Sequence, residues 1–398
     1  MCTLTKPLLT FPSQQQIISV GCSLTGLFLL AIYFSTALAI ILSAVLALLW
    51  LLSGQLLALP STLQKFPVAA WALLLYICFI AGLGYGQADP KEAHVMLSKY
   101  RELLLLTILL PFLSTERYRN WAWKAFIAAS VLSLSVSYLM DMGVLDSSAN
   151  GPSWKSRITH SLFMAFFAFY CLHKTFAQKP LHKPYFAGFL LAFYNLFFVV
   201  EGRSGQLIAL ALLLLFAIQR LSNKQRSVLL LCLIVFLGLF LGYSGKAKRI
   251  HEGFANTQAY FQSHPEQTHS SMGQRYTFWQ YSLKLIAEKP WSGHGTGSFS
   301  SEYYRLADKE HFKAQHPHNE FLMIAVQLGL LGLAPYLGFL VSQWVCASAL
   351  PDQDRWLAQG LFVSLLIFSL FNTPIFDHTE GHWFALMIAL CFSASKPN

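Results

Sequence analysis

The chain has 398 residues, of which 55% are hydrophobic, 15% aromatic and 12% charged. Soluble domains carry roughly 25% charged residues, and no single core buries so much apolar surface behind so thin a polar coat; a soluble enzyme, a nucleic-acid-binding module and a disulfide-held secreted scaffold are excluded. The formal charge of +10 does not restore nucleic acid as a partner, because the basic residues lie between apolar runs instead of gathering in a soluble domain.

What remains is an all-α, polytopic integral membrane protein. Length and flanking polarity predict about twelve spans, near 17–33, 35–57, 67–86, 99–113, 121–142, 160–176, 185–200, 204–219, 228–243, 318–344, 355–371 and 382–394. Several fall short of the ~20 residues that cross a bilayer upright, so tilted, broken or partly embedded helices are expected. The run 99–113, which ends near Pro111, carries the weakest signal. Lysine and arginine in the short loops are biased about twofold toward one side, which predicts cytoplasmic termini. The chain reads as one membrane domain, 1–398, with a single large external excursion over 244–317. Seven cysteines without a CxxC pair read as small apolar fillers, not as a disulfide framework or metal site.

The excursion is too aromatic for a solvated tether, with Tyr260, Tyr276, Trp279, Trp291, Tyr303 and Phe312 among its residues. Within it, Ser271 to Glu288 sets Tyr276, Trp279, Leu283 and Ile286 at helical spacing, predicting an amphipathic helix that Pro290 ends. The reading is of short helices folded over the membrane's outer face, roofing a cavity.

His316-Pro317-His318-Asn319 stands where the excursion meets the next span. At 100° per residue, Gly329 and Gly332 fall on the stripe of His318, which predicts close approach of a neighbouring helix. Pro317 suits the first turn of that helix. His318 reads either as a general base at the membrane surface or as an interfacial histidine capping a helix. Arginines at span ends are the second signal. Arg203, in Glu201-Gly202-Arg203-Ser204-Gly205, Arg275 in the predicted loop helix and Arg157 before a span are costly near hydrocarbon unless paired or facing water. Guanidinium groups match phosphate oxygens bidentately, so converging arginines suit a pyrophosphate. The structural alternative is an ion pair of Arg203 with Glu201 or Asp377.

Gly293-His294-Gly295-Thr296-Gly297-Ser298-Phe299 lacks the strand–loop–helix setting and spacing of a nucleotide site, and reads as a flexible turn. His316, His318, Asp377, His378, Glu380 and His382 are metal-ligating types, but neither HExxH nor a DxD pair is present. No metal or other cofactor is expected, and Asp377 or Glu380 reads as a group orienting a histidine or arginine.

His318-Asn319, nine residues, Gly329, two residues, Gly332 resembles the H[N/S/Q]-x9-G-x-x-[G/T/Y] signature of bacterial O-antigen ligases, in the superfamily that includes the O-antigen polymerases. Pro290 to Phe299 resembles the superfamily's P-x-x-G-x-G-x-x-x-F element, and Arg203 stands in a similar Gly-Arg-Ser setting. The resemblance implies a GT-C-like fold whose large loop, 244–317, is periplasmic, in the bacterial inner membrane. It implies metal-independent, inverting transfer of a preassembled glycan from undecaprenyl pyrophosphate to lipid A–core in lipopolysaccharide biosynthesis. On that pattern Arg203 and Arg275 grip the pyrophosphate, with Arg157, Asn319 and His316 assisting substrate binding. His318 acts on the acceptor hydroxyl, and Gly329 and Gly332 are structural. An O-antigen polymerase, with the same donor, is the nearest alternative; a protein oligosaccharyltransferase and a lipid-linked-sugar transporter are more distant ones.

Overall fold

Apolar runs punctuated by Ser, Pro and Gly fold here as helices, because a backbone in lipid must satisfy its polar groups within the segment. The computed structural model describes residues 13–148, 151–177, 180–262, 270–307 and 314–394; Phe312 lies outside them. The first half holds α1 (Gln14–Phe34), α2 (Thr36–Leu52), α3 (Leu59–Lys65), α4 (Pro67–Leu83), α5 (Pro90–Tyr100), α6 (Glu102–Phe112) and α7 (Glu116–Asp141). Next come α8 (Arg157–Thr175), α9 (Lys183–Tyr194) with a π turn over Asn195–Val199, α10 (Arg203–Arg220) and α11 (Asn223–Tyr243). The excursion forms α12 (Lys248–Phe261), α13 (Ser271–Glu288) and α14 (Phe299–Leu306), and α15 (Glu320–Ala347), α16 (Asp352–Phe371) and α17 (His378–Phe392) complete the chain. Among the described residues there is no strand.

Every predicted span falls on helix, but the expectation of twelve full spans is not met. Among the described residues, six helices (α1, α7, α10, α11, α15, α16) are long and apolar enough to cross a membrane, and seven if α3 and α4, bent by 118°, count as one span. The run 99–113 breaks at Arg101 into the end of α5 and the short α6. Arg101 and Glu102 interrupt the apolar sequence at the helix junction.

Two further helices lie inside the bundle instead of facing lipid. Helices α8 and α17 are buried on nearly every side, as all-round apolar helices inside a bundle are. Trp383 of α17 stacks on Phe163 of α8 with ring centroids 5.2 Å apart. Helix α11 is the opposite case, since of its residues only Phe240 is buried.

The most informative departure lies in α15. Gly329 has φ 62° and ψ −158°, so the helix is broken there. Only a residue without a Cβ enters that region at little cost, and a Cβ would run into the Trp291 carbonyl. Segment 290–297 docks into the break. The N–H groups of His294 and Gly295 donate to the carbonyls of Val326 (2.9 Å) and Gln327 (2.7 Å), while those of Leu330 and Leu331 donate to Pro290 (2.8 Å) and Trp291 (3.1 Å). Backbone groups freed from the helix are thereby satisfied by the loop. Two expectations are corrected by this. The 293–299 segment is no flexible turn, since His294, Thr296, Ser298 and Phe299 are buried. Nor do Gly329 and Gly332 share a helical stripe with His318, because α15 begins after His318 and breaks at Gly329.

Candidate active site

Arg157 and Arg203 each open a helix, and the two helices meet at their starts. Gly202 and Gly205 pack directly on Ser161, one turn into α8, where a Cβ on either would collide with that serine. The first turns of α8 and α10 are therefore neighbours, and their unsatisfied N–H groups favour anions nearby. Arg249 of α12 joins them, close enough to repel Arg203 and Arg157 electrostatically. Arg203 makes one long contact, Nη2 to Ser271 Oγ at 3.4 Å. Arg249 reaches only the Glu201 carbonyl, at 3.5 Å.

Neither anticipated partner pairs with Arg203. Glu201 lies 4.0 Å from Lys246, and Glu252 3.9 Å from Lys248. Among the described residues, Arg157, Arg203, Arg249 and Arg275 form no ion pair with a carboxylate. Arg203 and Arg275 line a groove of about 560 Å³ whose walls are otherwise mainly apolar, among them Leu207, Leu237, Phe240, Phe254 and Phe371. Burial and the charge of Arg203 push Arg275 down to about 10, still cationic at neutral pH. The groove thus has a cationic head and an apolar body.

Helix α13 spans the range expected, but presents another face. Its buried residues are Gly273, Thr277, Phe278, Ser282 and Leu285, whereas Leu283 is 61% exposed. Phe278 and Leu285 thus face the interior, while Trp279 and Ile286 are partly buried against the core. Tyr276 packs instead on Tyr260 and Phe261. Trp279 donates its indole N–H to the Pro317 carbonyl at 3.0 Å.

That bond holds the segment 316–319. Pro317 precedes the cap instead of entering the helix; Asn319 is the N-cap, accepting from the Leu322 N–H at 3.0 Å and donating to the Leu370 carbonyl at 3.1 Å. His318 has φ 52°, the one non-glycine residue with positive φ among those described, a geometry that costs roughly 1–2 kcal/mol. It is no cap. Its ring lies 4.3 Å from that of His316 and is flanked by Phe278 at 6.3 Å. The His318 N–H donates to His316 Nδ1 at 3.3 Å. With Nδ1 accepting, neutral His316 carries its proton on Nε2. Thr373 Oγ1 also reaches Nδ1, at 3.2 Å. Burial, reinforced by Arg275 and a neighbouring cation or imidazole, lowers His316 to about 4 and His318 to about 3, so both are neutral at physiological pH.

Arg157 therefore lies near Arg203, Arg203 and Arg275 line one groove, and His316 and His318 feel the charge of Arg275, with Asn319 capping the helix that follows. Gly329 and Gly332 lie deeper in α15. Sequence reading missed Arg249, hidden in a basic run of the excursion, and Thr373, in an otherwise unremarked turn. It missed Lys99 too, whose ammonium sits 3.9 Å above the Phe376 ring and next to His316. Glu380 orients no histidine of this site; it accepts from Thr159 Oγ1.

A family model described as O-antigen ligase matches residues 187–337. A Rickettsia bellii protein named "Putative polysaccharide ligase" is 37% identical over 82 residues, 18% of this chain and 20% of that protein. One of the same name from Rickettsia conorii is 26% identical over 136 residues, 31% of this chain and 33% of that protein. The matches thus span a fifth and a third of the length of these curated relatives. Arg203, Arg275, His318, Gly329 and Gly332 all fall inside the segment, residues 187–337, that is similar to the O-antigen ligase family model.

Proposed function

We propose that the protein is a glycosyltransferase that moves a preassembled glycan from undecaprenyl pyrophosphate to lipid A–core, on the periplasmic face of the bacterial inner membrane. The observation that carries this reading is the groove: two arginines without carboxylate partners at the head of an apolar trough, with a neutral histidine beside one of them. A polyprenyl chain with an anionic diphosphate has the matching polarity. Arg203 and Arg275 bind the diphosphate and stabilise the charge that builds on it as the glycosidic bond breaks. Arg157 and Arg249 extend the positive field, and the first turns of α8 and α10 add to it.

His318 accepts the proton of the acceptor hydroxyl as that oxygen attacks the anomeric carbon from the face opposite the diphosphate. In the free protein its basicity is low, partly because of Arg275. A bound diphosphate cancels that charge and raises the basicity of His318 when the donor is in place. Diphosphate leaves as a stable anion, so no carboxylic acid is needed opposite the base, unlike glycoside hydrolysis. His316 Nε2–H and Asn319 help hold the substrates, and the chemistry uses neither metal nor nucleotide.

The test is reconstitution. Purified protein in lipid, without added metal or ATP, receives undecaprenyl-pyrophosphate glycan and lipid A–core, and products are resolved by gel and mass. Capped core that is lost with His318→Ala is the expected result. Longer lipid-linked glycan with unmodified core makes the protein a polymerase. No new glycosidic bond with either acceptor overturns the reading.

A further inference from the structure

A second cluster of chemistry-bearing side chains lies outside the arginine–histidine site. Glu102 opens α6, and His378 and His382 stand one turn apart at the start of α17. His378 Nδ1 lies 2.7 Å from Glu102 Oε1, and His382 Nε2 lies 3.0 Å from Glu102 Oε2. Glu102 is 2% exposed and His382 fully buried.

The hydrogen bonding of His382 makes this arrangement unusual. Its Nδ1 contacts the His378 carbonyl, and a carbonyl only accepts, so Nδ1 carries the ring proton. Nε2 of the neutral ring then presents a lone pair, and what it faces is a carboxylate oxygen. Two acceptors confront each other, and neither has another hydrogen-bond partner. Arg101 approaches only the other carboxylate oxygen, at 3.9 Å. Leaving such buried groups unsatisfied is costly, and a cation between them removes the conflict.

We propose that Glu102, His378 and His382 bind a divalent transition-metal ion, zinc above all, that fastens α6 to α17. The three donor atoms lie within 4.8 Å of one another, and bonds of about 2.0–2.1 Å to a tetrahedral ion set such atoms roughly 3.3 Å apart, so small side-chain rotations bring them onto one ion. Two imidazoles and one carboxylate suit zinc. Calcium and magnesium demand six or more oxygens, and no thiolate is present to select copper(I). Donation of the second ring N–H to a backbone carbonyl, as His382 does to His378, is the outer-sphere bond that metal-bound histidines make. The fourth position opens beside His378, whose side chain is 23% exposed. The ion takes no part in transfer; it fixes the first turn of α17, directly after the turn that supplies Thr373 to His316.

The experiment uses the full chain, carried by a tag without histidines and purified in detergent with no chelator. Elemental analysis is expected to find about one zinc per chain in the unaltered protein, and a tenfold lower content in His382→Ala and Glu102→Gln. Because those variants can fail to fold, the unaltered protein is also stripped with phenanthroline and reloaded with cobalt(II). Visible bands of tetrahedral cobalt and a melting temperature restored by zinc are expected. A folded, monodisperse chain that holds no zinc after purification and retains no cobalt at micromolar free metal overturns the proposal and leaves a shared proton in the gap. Neither readout depends on glycan transfer, so the two proposals fail separately.

Discussion

The indole N–H of Trp279 donates to the carbonyl of Pro317 at 3.0 Å, tying α13, which carries Arg275, to the residue before His318. The two groups assigned to opposite sides of the reaction are thus held in one frame. Trp279→Phe keeps the ring and removes the bond. Misplacement of a catalytic group by a fraction of an ångström lowers the rate steeply, so kcat is expected to fall about tenfold with the donor KM nearly unchanged. Steady-state transfer kinetics check this, and an unaltered kcat would show that the bond does not position His318.

Removal of either arginine at the groove head is expected to reduce kcat by roughly 100- to 1,000-fold, the range for a lost charge-stabilising donor. Arg203→Lys retains charge without the bidentate fork and should recover only part of the activity. Arg249→Ala, farther from the diphosphate, should raise the donor KM about tenfold and spare kcat. Equal effects on kcat at all three positions would instead make the arginines one undifferentiated electrostatic patch.

Acid should destabilise the folded chain through its histidine pair. Unfolded imidazoles titrate near 6.5, whereas folded His316 titrates at about 4 and His318 at about 3. Between these values the unfolded chain binds protons that the folded chain refuses. The stability present above about pH 7 therefore drains away as pH falls through 6.5 toward 4. Melting temperatures in detergent from pH 7.5 to 5 are expected to decline, and His316→Gln to flatten the decline. A slope identical in the variant would assign it to other groups. Transfer by the unaltered protein should show no acid limb near pH 6.5 in kcat/KM.

Gly329→Ala meets a positive φ and the Trp291 carbonyl together. The conformation alone costs roughly 1–2 kcal/mol in a residue with a Cβ, and the clash adds to it. The expected result is a lower melting temperature and release of the 290–297 segment, read as faster proteolysis there. A variant as stable as the parent would mean that α15 can straighten and that the break is dispensable.

Much of the fold is legible in the sequence, since apolar length and polar punctuation locate each helix. The span count is not, because α8 and α17 are apolar enough to look lipid-facing while being enclosed by protein. The face of α13 is misjudged for a related reason. Helical spacing groups Leu283 with Tyr276, Trp279 and Ile286, but the fully buried side runs through Gly273, Thr277, Phe278, Ser282 and Leu285. Of the candidate site, Arg157, Arg203 and the histidines announce themselves by standing at span ends, and Arg275 by its place in the loop helix. Arg249, Thr373 and Glu102 do not, because their roles depend on neighbours more than 40 residues away in the chain, which no local pattern encodes.

The docking of residues 290–297 into the break of α15 bears on how this protein can be engineered. Each piece is the other's missing backbone partner, so neither can be transplanted alone. A chimera that takes residues 318–332 from a similar protein while keeping its own 290–299 would face an unwound helix with a mismatched insert. Exchanges intended to alter acceptor choice should move both pieces as a single cassette.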